Sequence, residues 1–334
     1  MLDKIVEDKE YLYLSAQISA RETNMLSRDK MERMLSAVGF SDAAKAIIEC
    51  GYEDMSAMTA KQVEDALANH RASVFNDLAQ RVPESAVVNA FRIKYDYHNA
   101  KVVVKAQGTG TDGAHMFSGS GRVTAEAISG ALISEDYRFL PLSLAKATAE
   151  AAGILARTGN PQLADFTLDR AYFAELIELA ESVNCGFLKE YARFLIDSAN
   201  LRAGIRTLRL GRDMEFLKLA LVSGGTINPE RIALASTSVD SLSALFNSTP
   251  LERAAALGAA AVLGGSMTEF ELACDNASMK FMFDAKLKGF SAERVIAYLV
   301  GLESEITAIR MILTGKLSGI EPELIRERLR DSYV

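Results

Sequence analysis

The stretch Phe187 to Gly211, FLKEYARFLIDSANLRAGIRTLRLG, constrains this chain most, because it is written more than once. An offset of 101 residues towards the N-terminus brings Asp197, Asn200, Arg202, Arg206 and Gly211 onto Asp96, Asn99, Lys101, Lys105 and Gly110. An offset of 104 the other way brings Phe166, Leu195, Ile205, Arg206 and Gly211 onto Phe270, Leu299, Ile309, Arg310 and Gly315. Any two amphipathic helices align at apolar positions, but polar and glycine positions have no such reason to agree. A period near 100 residues is too long for a short solenoid repeat and suits a small domain copied in tandem.

The punctuation follows the same phase. A turn precedes each copy, at Val82-Pro83, Cys185-Gly186 and Lys288-Gly289. A helix start follows each, at "VTAEAI" from Val123, "INPERI" from Ile227 and "IEPELI" from Ile320. Thr124 and Asn228 are good N-caps, Pro229 and Pro322 suit a first turn, and Glu126, Glu230 and Glu323 complement the positive end of the helix dipole. In the third version Glu321 holds the cap position. The expected division is into three helical lobes, 1–117, 118–222 and 223–334, the last including a C-terminal capping helix.

Read in order, the periodicity predicts a helix over 10–25, a second capped by Ser27, a short one between Ser41 and Gly51, and a long one opened by Thr59 and broken at Pro83. It resumes to about Gln107, gives way to the glycine-rich loop GTGTDGAHMFSGSG over 108–121, and restarts at Thr124. Asn160-Pro161 marks a turn before a long pair, 168–184 and 187 to about 222. A last pair covers 267–288 and 291–315, and the capped C-terminal helix runs from Pro322 to about Asp331. No stretch reads as a convincing strand. The fold class is all-α.

Composition narrows the function. Hydrophobic residues make up 49% of the chain, enough for large cores, and a net charge of −7 argues against nucleic acid as the main partner. Cys50, Cys185 and Cys274 are odd in number and far apart, a reduced usage and not a disulfide framework. The start MLDKIVEDKE carries acids where a signal peptide needs an apolar run, and the uncharged stretch 254–268 is shorter than the roughly 20 residues that span a bilayer.

Chemistry-bearing motifs fail on context. Gly108, Gly110 and Gly113 spell G-x-G-x-x-G after the valine run Val102–Val104, but no helix opens behind them and no second strand follows, so a dinucleotide site is rejected. His70, His98 and His115 have no metal-ligand spacing, and His98 beside Asp96 reads as a surface pair. There is no G-x-S-x-G and no P-loop. The twelve methionines sit at helical spacing and read as core filler. No cofactor, no metal and no catalytic residue is expected, and the chain is not read as an enzyme.

The repeated helix is itself unusual. Arg193, Asp197 and Asn200 lie on one side of the wheel, and Arg202, Arg206 and Arg209 nearly opposite. Either the helix leaves one core and enters another, or one polar half lines a shared cavity or contact surface.

Three segments carry a family likeness: the C-terminal "YLVGLESEITAIRMILTGKLSGIEPELIRERLRDSYV", the N-terminal "YLYLSAQISARETNMLSRDKMERML", and the central "FLIDSANLRAGIRTLRLG" with "SGGTINPERI". From Tyr11 to Val334 the chain resembles the C subunit of the V/A-type rotary ATPases, whose eukaryotic counterpart is called the d subunit. The pattern E-x-x-x-I-R-x-I-x-x-G-K, Glu305 to Lys316, is the most specific part. Gln17 stands where the family pattern has an arginine, and the glycine-rich loop is individual to this chain.

The resemblance implies an all-helical funnel of three similar lobes around a pseudo-threefold axis. It implies a non-catalytic socket on the cytoplasmic mouth of the membrane rotor ring, peripheral to the membrane and without direct lipid insertion. The implied partners are the central shaft subunits (D and F type), the proteolipid ring and, as a further candidate, the stator membrane subunit. On this reading Lys101, Lys105, Arg202, Arg206, Arg209 and Arg310 are the candidate interface. Asp96, Asn99, Asp197 and Asn200 orient neighbouring helices. Three alternatives stay open: the basic residues pair with acids between lobes, the chain is a generic helical scaffold for another coiled-coil partner, or it is a helical enzyme with an unrecognised site.

Overall fold

A computed structural model describes residues 7–334 of the chain, and among these the regular secondary structure is helical throughout. In chain order the α-helices are α1 (Leu12–Glu22), α2 (Arg28–Ser36), α3 (Phe40–Lys45), α4 (Ala60–Arg81), α5 (Ser85–Thr109), α6 (Ala125–Ser134), α7 (Leu142–Thr158) and α8 (Pro161–Ser182). They continue as α9 (Gly186–Arg209), α10 (Met214–Ala220), α11 (Pro229–Ala235), α12 (Val239–Leu245), α13 (Glu252–Val262), α14 (Met267–Lys286), α15 (Ala292–Leu317) and α16 (Pro322–Arg326). The starts expected from sequence are where side chains satisfy the orphan amides of a first turn. Ser27 accepts from Lys30 N–H, Thr124 from Ala127 N–H and Asn228 from Glu230 N–H. Thr59 and Gln62 exchange hydrogen bonds in a capping box.

Two compact units result, one of the residues up to Val88 together with 266–334, the other of 89–265. The expected lobe boundaries at 117/118 and 222/223 both fall inside the second unit. In the first, α15 is packed by α14, α4, α3, α1, α2 and α16. Every residue from Val295 to Leu302 is buried, so this helix is apolar nearly all round, as a helix must be when it has neighbours on every side. In the second unit α9 takes the central position, against α8, α13, α10, α11 and α12.

The long helices α5, α9 and α15 end alike. Gly110, Gly211 and Gly319 follow them in the left-handed region, at φ +67°, +60° and +66°. This conformation costs an L-residue roughly 1–2 kcal/mol and glycine almost nothing. Two residues beyond each glycine an acidic side chain opens the next turn: Asp112 accepts from Ala114 N–H, Asp213 from Phe216 N–H, and Glu321 stands at the N-cap of α16.

Three expectations are corrected here. The helix expected to run to about residue 222 breaks at Gly211, and Asp213 starts α10. Gly315, matched by sequence to Gly211, lies inside α15 against Ile325, and the terminating glycine is Gly319. The C-terminal helix also stops at Arg326, and the remaining residues run as an irregular strap.

Alanine at Gly211 or Gly319 is expected to lower stability by about 1–2 kcal/mol through backbone strain. Alanine at Gly130, mid-helix with open space at its Cβ, is expected to be neutral or stabilising by up to about 1 kcal/mol. Urea midpoints of the three variants check this order.

Candidate functional site

The residues expected to orient helices do so through the backbone of a following loop. Asp96, wholly buried on α5, accepts Arg122 N–H (2.7 Å) and Val123 N–H (3.0 Å) on one oxygen and Arg122 Nε–H (2.7 Å) on the other. Asp197 on α9 does the same one copy later: it accepts Thr226 N–H (3.0 Å), the Thr226 hydroxyl, and Ile227 N–H (3.2 Å). Each loop runs directly into a helix cap, Thr124 or Asn228. Gly121 and Gly225 are required where they pass the carboxylates, since a Cβ at either would collide with Asp96 or Asp197.

Asn99 and Asn200 grip the same loops further back. The Asn99 amide donates to Ser118 O and accepts Ser118 N–H, both at 2.9 Å. The Asn200 amide donates to Val222 O (2.8 Å) and accepts Val222 N–H (2.9 Å). The glycine-rich loop is thereby folded back on α5, with Gly113 against Val102 and Ala106, and the His98 ring nitrogen Nε2 donating to Met116 O at 2.9 Å.

The third copy uses a residue that the 104-residue offset hid. Glu305 on α15 is the counterpart of Asp197 at an offset of 108, the same offset that relates Gly211 to Gly319 and Asp213 to Glu321. Its carboxylate accepts Leu26 N–H (2.5 Å) and Tyr52 O–H (2.7 Å). Leu26 immediately precedes the cap Ser27 of α2, as Val123 precedes Thr124 and Ile227 precedes Asn228. The loop that closes this copy therefore comes from the other end of the chain. The C-terminal strap completes it: Ser332 Oγ donates to Leu26 O (3.1 Å), Tyr333 O–H to Glu22 (2.6 Å), and Lys286 Nζ to Tyr333 O (2.6 Å).

Electrostatics differ between the copies. Burial pushes the Asp96 carboxyl upward, opposed by Arg122 and the two loop amides. Arg122 also pairs with buried Glu175 at 2.7 Å, and Glu175 accepts Tyr97 O–H at 2.8 Å. Sequence reasoning missed Arg122, Glu175 and Tyr97 because they match nothing in the other copies. Thr226 stands in place of Arg122, so the second latch has a hydroxyl where the first has a guanidinium. Burial raises Glu305 as well, countered by Leu26 N–H and Tyr52.

Of the candidate interface residues, Lys101 bonds Asp169 (2.5 Å) and Lys105 pairs with Asp165 (3.2 Å), both acids on α8. Arg310 bonds Glu64 on α4 at 2.7 Å. Partly exposed pairs of this kind contribute about 0–1 kcal/mol each. Arg202 Nη1 donates to Ser198 Oγ within α9, and Arg209 Nη1 reaches the carbonyls of Ala261 (3.1 Å) and Gly265 (3.3 Å) at the end of α13. Arg206 is exposed. The ten residues thus separate into buried latches and a half-exposed basic series. No group of three or more potential metal ligands occurs among the described residues.

Asp96→Ala is expected to destabilise more than Asp197→Ala. The first breaks a buried ion pair, costing roughly 3–5 kcal/mol, the second strands loop donors at roughly 1–3 kcal/mol. Equal losses in denaturant midpoints would contradict the assigned difference. For Glu305 the folded-state pKa lies above the unfolded value near 4.5. Its contribution is then fully present below that value and lost as pH rises through the folded pKa. Melting temperatures of Glu305→Gln relative to the parent chain should therefore shift in favour of the variant between pH 4 and pH 7.

Comparison with known proteins places these features in one family. Residues 14–328 match the family described as ATP synthase (C/AC39) subunit. The C subunit of the V-type sodium ATPase of Enterococcus hirae is 24% identical over 339 residues, covering 97% of this chain and 99% of that protein. The C subunit of the A-type ATP synthase of Haloferax volcanii is 24% identical over 347 residues, covering 95% and 96%. The C subunit of the V-type ATP synthase of Thermus thermophilus is 22% identical over 222 residues, covering 63% and 67%.

Proposed function

The chain belongs to the ATP synthase (C/AC39) subunit family, a structural and non-catalytic part of the rotary ATPases, and on that premise we propose that it is the socket joining the central shaft to the membrane rotor ring. The observation that carries this reading is the threefold recurrence of one device: a buried carboxylate on a long helix, a left-handed glycine at its end, and a held loop leading into a capped helix. Three such units, arranged as three similar lobes around one axis, present equivalent helices to a single shaft. Latches made of buried charge-assisted hydrogen bonds and close-packed helices resist shear, which is what a torque-bearing part requires.

In this role the chain takes the D- and F-type shaft subunits on one side and the proteolipid ring on the other, with the stator membrane subunit as a further neighbour. It sits on the cytoplasmic face as a peripheral component. No helix among the described residues is long and apolar enough to cross a membrane, which fits attachment through protein contacts. The half-exposed basic series, Lys101, Lys105, Arg202, Arg206, Arg209 and Arg310, supplies register at these contacts. Charged contacts favour orientation and reversible assembly without a large exposed apolar surface.

Affinity purification of the tagged chain from detergent-solubilised membranes tests the assignment: shaft and ring subunits are expected together, and recovery of an unrelated coiled-coil protein instead would favour the scaffold reading. Reversal of Arg202 and Arg206 to Glu is expected to leave the melting temperature of the isolated chain within a few degrees while lowering assembly or coupled ATPase activity. Unfolding of that variant, or unchanged assembly, would remove both residues from the interface.

A further inference from the structure

The groove between α10 and α11 has an internal standard against which it can be read. Its counterpart in the first unit lies between α16 and α2. Arg326 falls as far beyond Gly319 as Lys218 falls beyond Gly211, and Leu329 corresponds in the same way to Leu221. Across the groove, Glu32 follows its cap Ser27 by the same interval as Ala233 follows Asn228. In the first unit Arg326 bridges to Glu32 (2.9 Å), and only about 40 Å³ remains between the walls. In the second, Ala233 offers no acceptor. Lys218 pairs with Glu215 on its own helix, as Arg326 also does with Glu323, and a groove of about 470 Å³ stays open.

The open groove is built to be covered. Met214, Leu221 and Ala233 line it, and Leu234 on its wall is 67% exposed. The Lys218–Glu215 pair is an exposed i,i+3 contact, so Lys218 is available for exchange at little cost. Glu230 lines the groove on the α11 side and disfavours a second acid there.

We propose that the α10–α11 groove is a docking site for a segment of a partner protein that presents an aliphatic side chain beside a carboxylate. The aliphatic group fills the space over Leu221 and Ala233. The carboxylate takes Lys218 in the way Glu32 takes Arg326, and its distance from Glu230 fixes the direction of the segment. Specificity arises because the partner supplies the acid that this copy of the repeat lacks.

The test has an arm that needs no assembled complex. The isolated full-length chain is titrated with 8-anilinonaphthalene-1-sulfonate, a dye joining an apolar body to an anion, and compared with Lys218→Glu and Ala233→Glu. Both substitutions are expected to weaken binding about tenfold, a change of about 1.4 kcal/mol. Lys218 is exposed, so its reversal leaves the fold intact if Ala233→Glu does not. In the second arm a photo-reactive benzophenone side chain replaces Leu234 in the assembled rotary complex. The expected cross-link is to another subunit, at a peptide carrying Leu, Ile, Val or Met next to Asp or Glu, and Lys218→Glu is expected to reduce it. Dye binding unchanged in Lys218→Glu overturns the site whether or not the chain enters a rotary complex. Cross-links confined to this chain or to a second copy of it, or to a peptide without an acid, overturn the assigned partner.

Discussion

A buried carboxylate that accepts backbone amides of a distant loop is the interaction on which the rest of this structure depends. Asp96, Asp197 and Glu305 each occupy a long helix and each fix the residue just before a helix cap. The loop amides would otherwise be buried without partners, and a buried unsatisfied donor costs roughly 1–3 kcal/mol. Satisfying them from the long helix sets where the next helix starts, which in turn sets which face that helix packs. Local capping by Thr124, Asn228 and Ser27 then extends a direction already given. The chemistry tolerates variation around the carboxylate, as Arg122, Thr226 and Tyr52 in its neighbourhood show, but the acceptor itself is supplied every time.

Much of this was legible in the residues. Helix starts at Ser27, Thr59, Thr124 and Asn228 follow from cap chemistry alone, and the first pair of copies aligns correctly because Asp, Asn and Gly recur at one offset. The third copy was misregistered by one helical turn. Apolar residues recur every three or four positions, so Leu299, Ile309 and Gly315 score well four residues out of register, while Glu305 differs from Asp197 by a methylene and escapes an identity match. The loop held by Glu305 lies 279 residues away, beyond any pattern that reads forward along the chain. Arg122 and Glu175 were missed for the reason already visible in their geometry: they serve one copy only.

The basic series had a clear signal and a divided outcome. Lys101, Lys105 and Arg310 reach acids on the adjacent helix of their own unit, Asp169, Asp165 and Glu64. Periodicity tells that a lysine lies on a given stripe, and it does not tell whether the neighbouring helix places an aspartate beneath it. Such pairs are individually weak and half solvated, so they hold the side chains in place more than they hold the helices together.

The strap at the C-terminus stands where the other two copies have a continuous loop. Its Ser332 and Tyr333 meet Leu26 and Glu22, 306 and 311 residues earlier in the chain. Such a unit has a fixed place in the order of synthesis. Residues 89–265 leave the ribosome as a complete set and can pack at once, because chains emerge N-terminal first and domains fold as they complete. The amphipathic helices α1 to α4 emerge earlier still, yet their central partner α15 is made only after the whole of residues 89–265. They must wait with their apolar faces uncovered, and the closure that finally covers them spans nearly the whole chain, at the entropic cost that long loops carry. The first helices and α15 therefore meet only after residues 89–265 have been made, and a chain cut short before α15 leaves those helices without their central partner.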